Sequence, residues 1–169
     1  MIMLMNISAT VCVGATTILK ARTSPQERRA YALRYVKGNN IQGYLAYSGD
    51  RVVGWCNANT KADCLKCASW RRFMKHVPIE EPDSGIKVKS VFCFVIAPDM
   101  KRKGIATLIR ERVCKDAIKE GFDFVDAYPY REAAYQSSDF GGYYEMYKRC
   151  GFYVSLETDQ GLVMRKSLR

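Results

Sequence analysis

Histidine is all but missing from this 169-residue sequence: His76 is the single one. A Ser-His-Asp hydrolase would have to build its triad on that residue, and no Gly-x-Ser-x-Gly elbow is present to supply a nucleophile. His76 follows Phe73 in a loop, where a solitary histidine reads as a surface residue, with catalysis as the alternative. Both common phosphate-binding glycine patterns, the P-loop and Gly-x-Gly-x-x-Gly, are absent too. So are low-complexity tracts, heptad runs and internal repeats. Cysteine is present but unsuited to two of its usual uses. The seven residues Cys12, Cys56, Cys64, Cys67, Cys93, Cys114 and Cys150 are odd in number and scattered, which is not a disulfide framework. Cys64-Leu65-Lys66-Cys67 has the spacing of half a zinc site, but no second pair completes four ligands, so no metal is expected. A reducing, cytoplasmic setting follows from this cysteine usage.

Acidic residues are the minority, 17 against 27 basic, giving a net charge of +10 and a pI of about 9.3. An anionic partner is implied: nucleic acid, an anionic membrane surface, or a phosphorylated cofactor or substrate. The basic residues are spread along the chain with no long block of one sign, which argues against a nucleic-acid tail. No charge precedes Lys20. That stretch lacks the basic start of a signal peptide and is diluted by Asn6, Ser8, Thr10, Thr16 and Thr17. It reads as carrying a strand near Ala9–Val13, not a membrane anchor.

The length suits one domain, residues 1–169. Ser24-Pro25-Gln26-Glu27 has the form of a capping box with proline at the first helical position. It predicts a helix to about Lys37, with Ala30, Leu33 and Val36 inward and Gly38 as its stop. Tyr44–Tyr47 and Val52–Cys56 flank a Gly49-Asp50 turn and predict a hairpin. Ala62–Met74 reads as a helix, followed by an acidic, turn-rich loop through Glu80, Glu81 and Asp83. That loop is either solvated or a border of the substrate pocket. Lys87–Ala97 is apolar at every position in its second half, as a central strand covered on both faces requires. Gly104–Glu120 carries Ile105, Leu108, Ile109, Val113 and Ala117 at helical spacing. Phe122–Tyr128, Phe152–Ser155 and Leu162–Lys166 read as strands and Tyr143–Arg149 as a helix. This order makes a mixed α/β domain.

The stretch from Val91 to Ile109 carries the chemistry. A buried strand stops at Pro98, and a basic loop, Lys101-Arg102-Lys103, leads through Gly104 into a helix. Unpaired amides at a helix start bind anions, the helix dipole assists, and a glycine lets the backbone come close to a pyrophosphate. An ordinary connection with a solvated basic turn has the same spacing.

The segment resembles the acetyl-CoA signature of the GNAT superfamily of N-acetyltransferases, in which an apolar strand and Val-x-Pro precede Arg/Gln-x-x-Gly-x-Gly/Ala. Here the residues are Ile96-Ala97-Pro98, then Lys101-Arg102-Lys103-Gly104-Ile105-Ala106. Lys101 departs from the Arg/Gln position: it keeps charge and loses the forked geometry. Tyr147-Lys148-Arg149-Cys150-Gly151-Phe152 is similar to the superfamily's Tyr-x-x-x-Gly-Phe. The asparagine usual upstream is replaced by Asp139-Phe140-Gly141-Gly142. The likeness runs from about Tyr44 to the end.

The resemblance implies a mostly antiparallel sheet flanked by helices, with a cofactor cleft between splayed central strands. It implies acetyl-CoA as co-substrate and a small-molecule or peptide amine as acceptor, with the protein a monomer or homodimer. By position, the backbone of Phe94, Val95 and Ile96 would line the pantetheine. Lys101, Arg102, Lys103, Gly104, Ile105, Ala106 and Thr107 would hold the pyrophosphate. Tyr147 would be the general acid that protonates the departing thiolate, or else a tyrosine packed on the sheet. Asp126, at a strand end, is the tentative base or a structural carboxylate. Tyr128, Tyr130, Tyr135, Tyr143 and Tyr144 either wall an acceptor pocket or fill core and surface. A non-catalytic acyl-CoA-binding module and a nucleic-acid-binding protein remain as other readings.

Overall fold

The computed structural model describes residues 1–7, 24–38, 42–131 and 141–169. Seven strands form one sheet: β1 (Ile2–Ile7), β2 (Gly43–Ser48), β3 (Arg51–Thr60), β4 (Val88–Ile96), β5 (Phe124–Ala127), β6 (Tyr153–Thr158) and β7 (Gly161–Ser167). Their spatial order is β1-β2-β3-β4-β5-β7-β6. Every neighbouring pair is antiparallel except β4 and β5. Parallel neighbours need a crossover connection, and α3 (Ile105–Lys119) makes it. The other helices are α1 (Pro25–Lys37), α2 (Ala68–Phe73) and α4 (Tyr144–Lys148).

Strand side chains alternate between faces, and the interior divides accordingly into two apolar clusters. Tyr44, Ala46, Cys56, Leu162 and Met164 belong to one, with Ile105, Ile109 and Val113 of α3 and Tyr147 of α4. Leu45, Trp55 and Val163 belong to the other, with Val36 of α1 and Trp70 of α2. So α3 and α4 cover one face, and α1 and α2 the other. Burying Ile105, Ile109 and Val113 contributes about 1.5–3 kcal/mol each, which fixes the start of α3 against the sheet. Gly54 on β3 makes that close approach possible: a Cβ there would lie 3.1 Å from Ile105 Cγ2 and 3.0 Å from Ile96 Cδ1.

Local chemistry accounts for the ends of these elements. Ser24 and Glu27 cap α1 reciprocally: Glu27 N donates to Ser24 Oγ at 3.2 Å, and Ser24 N to Glu27 Oε2 at 2.7 Å. Ser48 pairs with Arg51 across the Gly49-Asp50 turn, where Gly49 has φ +59°.

Several expectations change. The strand foreseen near Ala9–Val13 lies outside the described residues; the strand seen at this end of the chain is β1, paired with β2. Residues 62–74 are not one helix. A 3-10 turn over Ala62–Lys66 is broken from α2 at Cys67, whose extended backbone (ψ 118°) cannot continue a helix. On α1 only Val36 of the three foreseen inward residues is buried, because the helix joins the second cluster near its last turn. Leu33 is exposed, and so is Ala30. On α3, Leu108 faces out, and the polar residue Arg110 is buried instead.

Candidate active site

The pairing of β4 and β5 is short. It runs from Val88–Phe124 to Val91–Ala127 and stops, while β4 continues to Ile96 beside β3. The two central strands therefore fork after Val91. A bulge marks the branch point. Ala58 pairs with Val91 and Asn57 with Cys93, which leaves Phe92 as an extra residue on β4. An inserted residue bends a strand and reverses its alternation. Val91 accordingly belongs to the α3 face and Cys93 to the other, although two positions apart they would otherwise share a side. Beyond the bulge come Phe94, Val95 and Ile96 along one arm of the fork.

That arm leads to a loop built to present backbone. Pro98–Met100 forms a 3-10 turn, and residues 101–104 are exposed. Arg51 holds the loop to the start of β3 through a bidentate pair with Asp99, at 2.6 and 2.8 Å. Those hydrogen bonds keep the Asp99 carboxyl below its usual range. Arg102 and Gly104 have φ +62° and +77°, which turns the chain sharply into α3. The first helical bond from this end is Leu108 N to Gly104 O, at 3.0 Å. The amides of Ile105, Ala106 and Thr107 precede it and have no acceptor within the helix. A Cβ added at Gly104 would meet no atom within 4 Å, so the chain is uncovered at Gly104 itself. With Lys101, Arg102 and Lys103 alongside, the arrangement fits a pyrophosphate.

Tyr147 lies on α4 in the same cluster as Ile105 and Ile109, on the α3 side of the fork. It is fully buried, and its hydroxyl donates to Gly141 O at 2.9 Å. Its ring packs edge-on against Phe152, with centroids 5.2 Å apart. Burial raises its phenol well above 10 and so holds the hydroxyl proton in place.

Asp126 sits on the opposite face. It is fully buried and gripped by two cations. Arg165 Nε and Nη2 donate to its two oxygens at 2.7 and 2.8 Å, and Lys61 Nζ is 3.1 Å from Oδ2. Glu81 closes the group, 2.7 Å from Lys61 and bonded by both terminal nitrogens of Arg165 at 2.8 and 2.9 Å. Burial pushes the Glu81 carboxyl up, but its bonds to Arg165 and Lys61 outweigh this and leave it lowered. The sheet thus separates Tyr147 from Asp126, and the Asp126 oxygens are already engaged as acceptors.

Near the branch point, Tyr128 Oη and Ser90 Oγ are 3.0 Å apart. Trp70 packs edge-on to both Tyr128 (4.8 Å) and Phe92 (5.3 Å). Trp70 and Tyr128 are core residues, whereas Tyr130 and Tyr143 are at the surface. Tyr135 lies outside the described residues, as do Asp139 and Phe140. His76 packs on the β7 end at Gly161, and burial lowers its pKa. Among the described residues no three His, Cys, Asp or Glu side chains are grouped to hold a metal. None of the described helices is long and apolar enough to cross a membrane.

Arg110, Arg165 and Lys61 were not singled out in the sequence as site residues. Arg110 is hidden among the apolar positions of α3. The partners of Arg165 lie 39 and 84 residues away, and no local pattern announces them.

The sequence matches no protein-family model and no curated protein. Solved structures do match, over essentially the whole chain. A Desulfovibrio desulfuricans protein assigned to the GNAT acetyltransferase family aligns at a TM-score of 0.59 and 12% identity, covering 100% of both chains. The ribosomal-protein-S18-alanine N-acetyltransferase of Escherichia coli aligns at 0.56 and 13%, covering 99% of this chain and 94% of that one. A GNAT-family acetyltransferase of Elizabethkingia anophelis, solved with acetyl-CoA bound, aligns at 0.55 and 10%, covering 98% and 97%. The protein therefore has the GNAT fold, a mixed α/β domain with a mostly antiparallel sheet.

Proposed function

We propose that the protein is an N-acetyltransferase that moves an acetyl group from acetyl-CoA to a primary amine by direct attack in a ternary complex. The observation that carries this reading is the fork that opens after Val91 and Ala127 and leads along β4 to the uncovered Gly104 at the start of α3. In this reading the backbone of Phe94, Val95 and Ile96 lines the pantetheine, as the splayed strand does in the superfamily. Residues 101–107 hold the pyrophosphate with amides and charge. Acetyl-CoA brings the activated acyl group; the protein positions it, excludes water and supplies a proton. Tyr147 is the proton donor to the departing sulfur: it carries its proton at neutral pH and lies in the cluster under α3, and its hydroxyl turns from Gly141 O to the sulfur when the thiolate forms. Asp126 is better suited to anchoring Arg165 and Lys61 than to accepting a proton, since both its oxygens already accept charged hydrogen bonds. The amine is a small molecule or a peptide, and its deprotonation falls to water or to a group on the acceptor side.

The test is thermal unfolding with and without acetyl-CoA, followed by a panel of primary amines. A ligand at 100 times its dissociation constant stabilises by about 2.7 kcal/mol. Gly104→Glu places a carboxylate where the pyrophosphate belongs, so it should abolish that shift while the protein still folds. No shift for the parent at millimolar acetyl-CoA refutes the reading. A shift without turnover on any amine supports a non-catalytic acyl-CoA-binding module, a role the bond from Tyr147 to Gly141 O would also suit.

A further inference from the structure

Arg110 is the most unusual side chain in the interior. It is 1% exposed on the second turn of α3, at a position where the helix otherwise buries isoleucine and valine. No carboxylate among the described residues pairs with it. Nη2 donates to Cys150 Sγ, while Nε and Nη1 have no hydrogen-bond acceptor among the described residues. A buried cation in this condition is costly. The ring of Tyr147 lies beside it: the guanidinium carbon is 5.4 Å from the ring centroid.

We propose that Arg110 is the electrostatic partner of Tyr147, holding a positive charge against the ring so that the phenolate formed during acyl transfer arises beside a cation. The inference rests on the reading of Tyr147 as the proton donor. In that step the amine nitrogen bonds to the thioester carbon and the carbon–sulfur bond breaks. The sulfur keeps the electron pair and takes the Tyr147 proton. An ammonium acceptor sheds two protons in becoming an amide; one restores the phenol through solvent and the other leaves to bulk. Tyr147 is thus briefly an anion in a site of low polarity. The ionisable groups acting on it are the thiols of Cys56 on β3, Cys93 on β4 and Cys114 on α3, and Arg110. The thiols and burial oppose a negative charge there, and Arg110 is the group that favours it. The contact to Cys150, three residues after Tyr147 on the same turn, keeps the guanidinium from rotating away.

The test compares the parent with R110M, R110K, Y147F and R110M/Y147F. It follows thiol release from acetyl-CoA, and from an acyl donor whose leaving thiol is more acidic, on the amine that the panel above turns over. R110M should lower kcat about tenfold, a fraction of what a positioned acid supplies, with KM for acetyl-CoA unchanged within about twofold. R110K should recover most of the loss. The loss in R110M should shrink with an acyl donor whose leaving thiol is more acidic, because that thiolate needs less of the phenol's proton. In the Y147F background R110M should add no further loss, since Arg110 acts through the hydroxyl. An equal loss in both backgrounds, or a loss that does not depend on the acidity of the leaving thiol, overturns the proposal and leaves Arg110 a packing residue. If R110M does not fold, R110Q with and without Y147F poses the same question with a polar side chain that carries no charge. Y147F turning over like the parent refutes Tyr147 as the acid and removes the basis for Arg110's role. Loss in Y147F with additive loss in R110M refutes Arg110 alone.

Discussion

Arg165 and Arg110 are both drawn into the interior, on opposite faces of one sheet, and their surroundings share almost nothing. Arg165 meets two carboxylates, Asp126 and Glu81, which also hold Lys61, so two cations face two anions in one network. Arg110 has the sulfur of Cys150 and the face of Tyr147, and no carboxylate among the described residues. The first arrangement joins distant parts of the chain: the end of β3, the segment before β4, β5 and β7. Its charge is balanced because its task is to hold them together. The second joins α3 to α4, which apolar residues would do as well. A buried cation with no carboxylate partner among the described residues points to a need for the charge itself.

The comparison can be broken most severely on the Arg165 side. Asp126→Ala leaves two buried cations sharing one carboxylate, and removing one partner of a buried pair typically costs about 3–5 kcal/mol. Denaturant unfolding should show a loss of that order; a change under 1 kcal/mol would mean the network carries little. The same measurement should give the opposite sign on the other face. Arg110→Met replaces a buried cation that has no carboxylate partner among the described residues with an apolar chain of similar length, so stability should hold or rise, by up to about 4 kcal/mol, even as turnover falls. A loss comparable to that of Asp126→Ala would show that the two arginines do the same job.

A smaller effect separates them by pH. Glu81 has a folded-state value below its ordinary 4.5. Its contribution is therefore fully present above about pH 4.5 and is lost as pH falls through the lowered value. Glu81→Gln should flatten the acid side of the stability profile and leave the slope above pH 6 unchanged. The smallest effect belongs to Arg51→Ala. Its pair with Asp99 is exposed, exposed pairs contribute little, and the melting temperature should stay close to that of the parent.

What could be read in the sequence was what local rules govern. The capping box at Ser24, the Gly49-Asp50 turn, the apolar run of β4 and the helical spacing of α3 each follow from neighbours a few residues apart. Expectation and structure agree for these elements to within a residue or two at most ends. The fork was expected from the resemblance. Its cause was not legible, because a bulge at Phe92 depends on how β4 registers against β3. The Asp126 network was illegible for a related reason: a charged residue shows in sequence as polar, and only the fold decides that Arg165 lies across from it. Arg110 was illegible too: it stands next to Glu111 and Arg112, and nothing in that charged run marks which of the three is buried.

The extra residue at Phe92 gives β4 a change of parity midway. Before it, the strand follows one odd–even assignment of side chains; after it, the other. One strand thereby serves as a wall for two compartments that would otherwise compete for the same positions. Deleting Phe92 would make Val91 and Cys93 consecutive opposite Ala58 and Asn57, so Phe94, Val95 and Ile96 would keep their partners and faces along β3. What the deletion would take away is the bend that a bulge puts into a strand, and the ring against which Trp70 packs. The ladder would become more regular and the place where β4 parts from β5 less well defined, a change that shows in the cleft and not in the core.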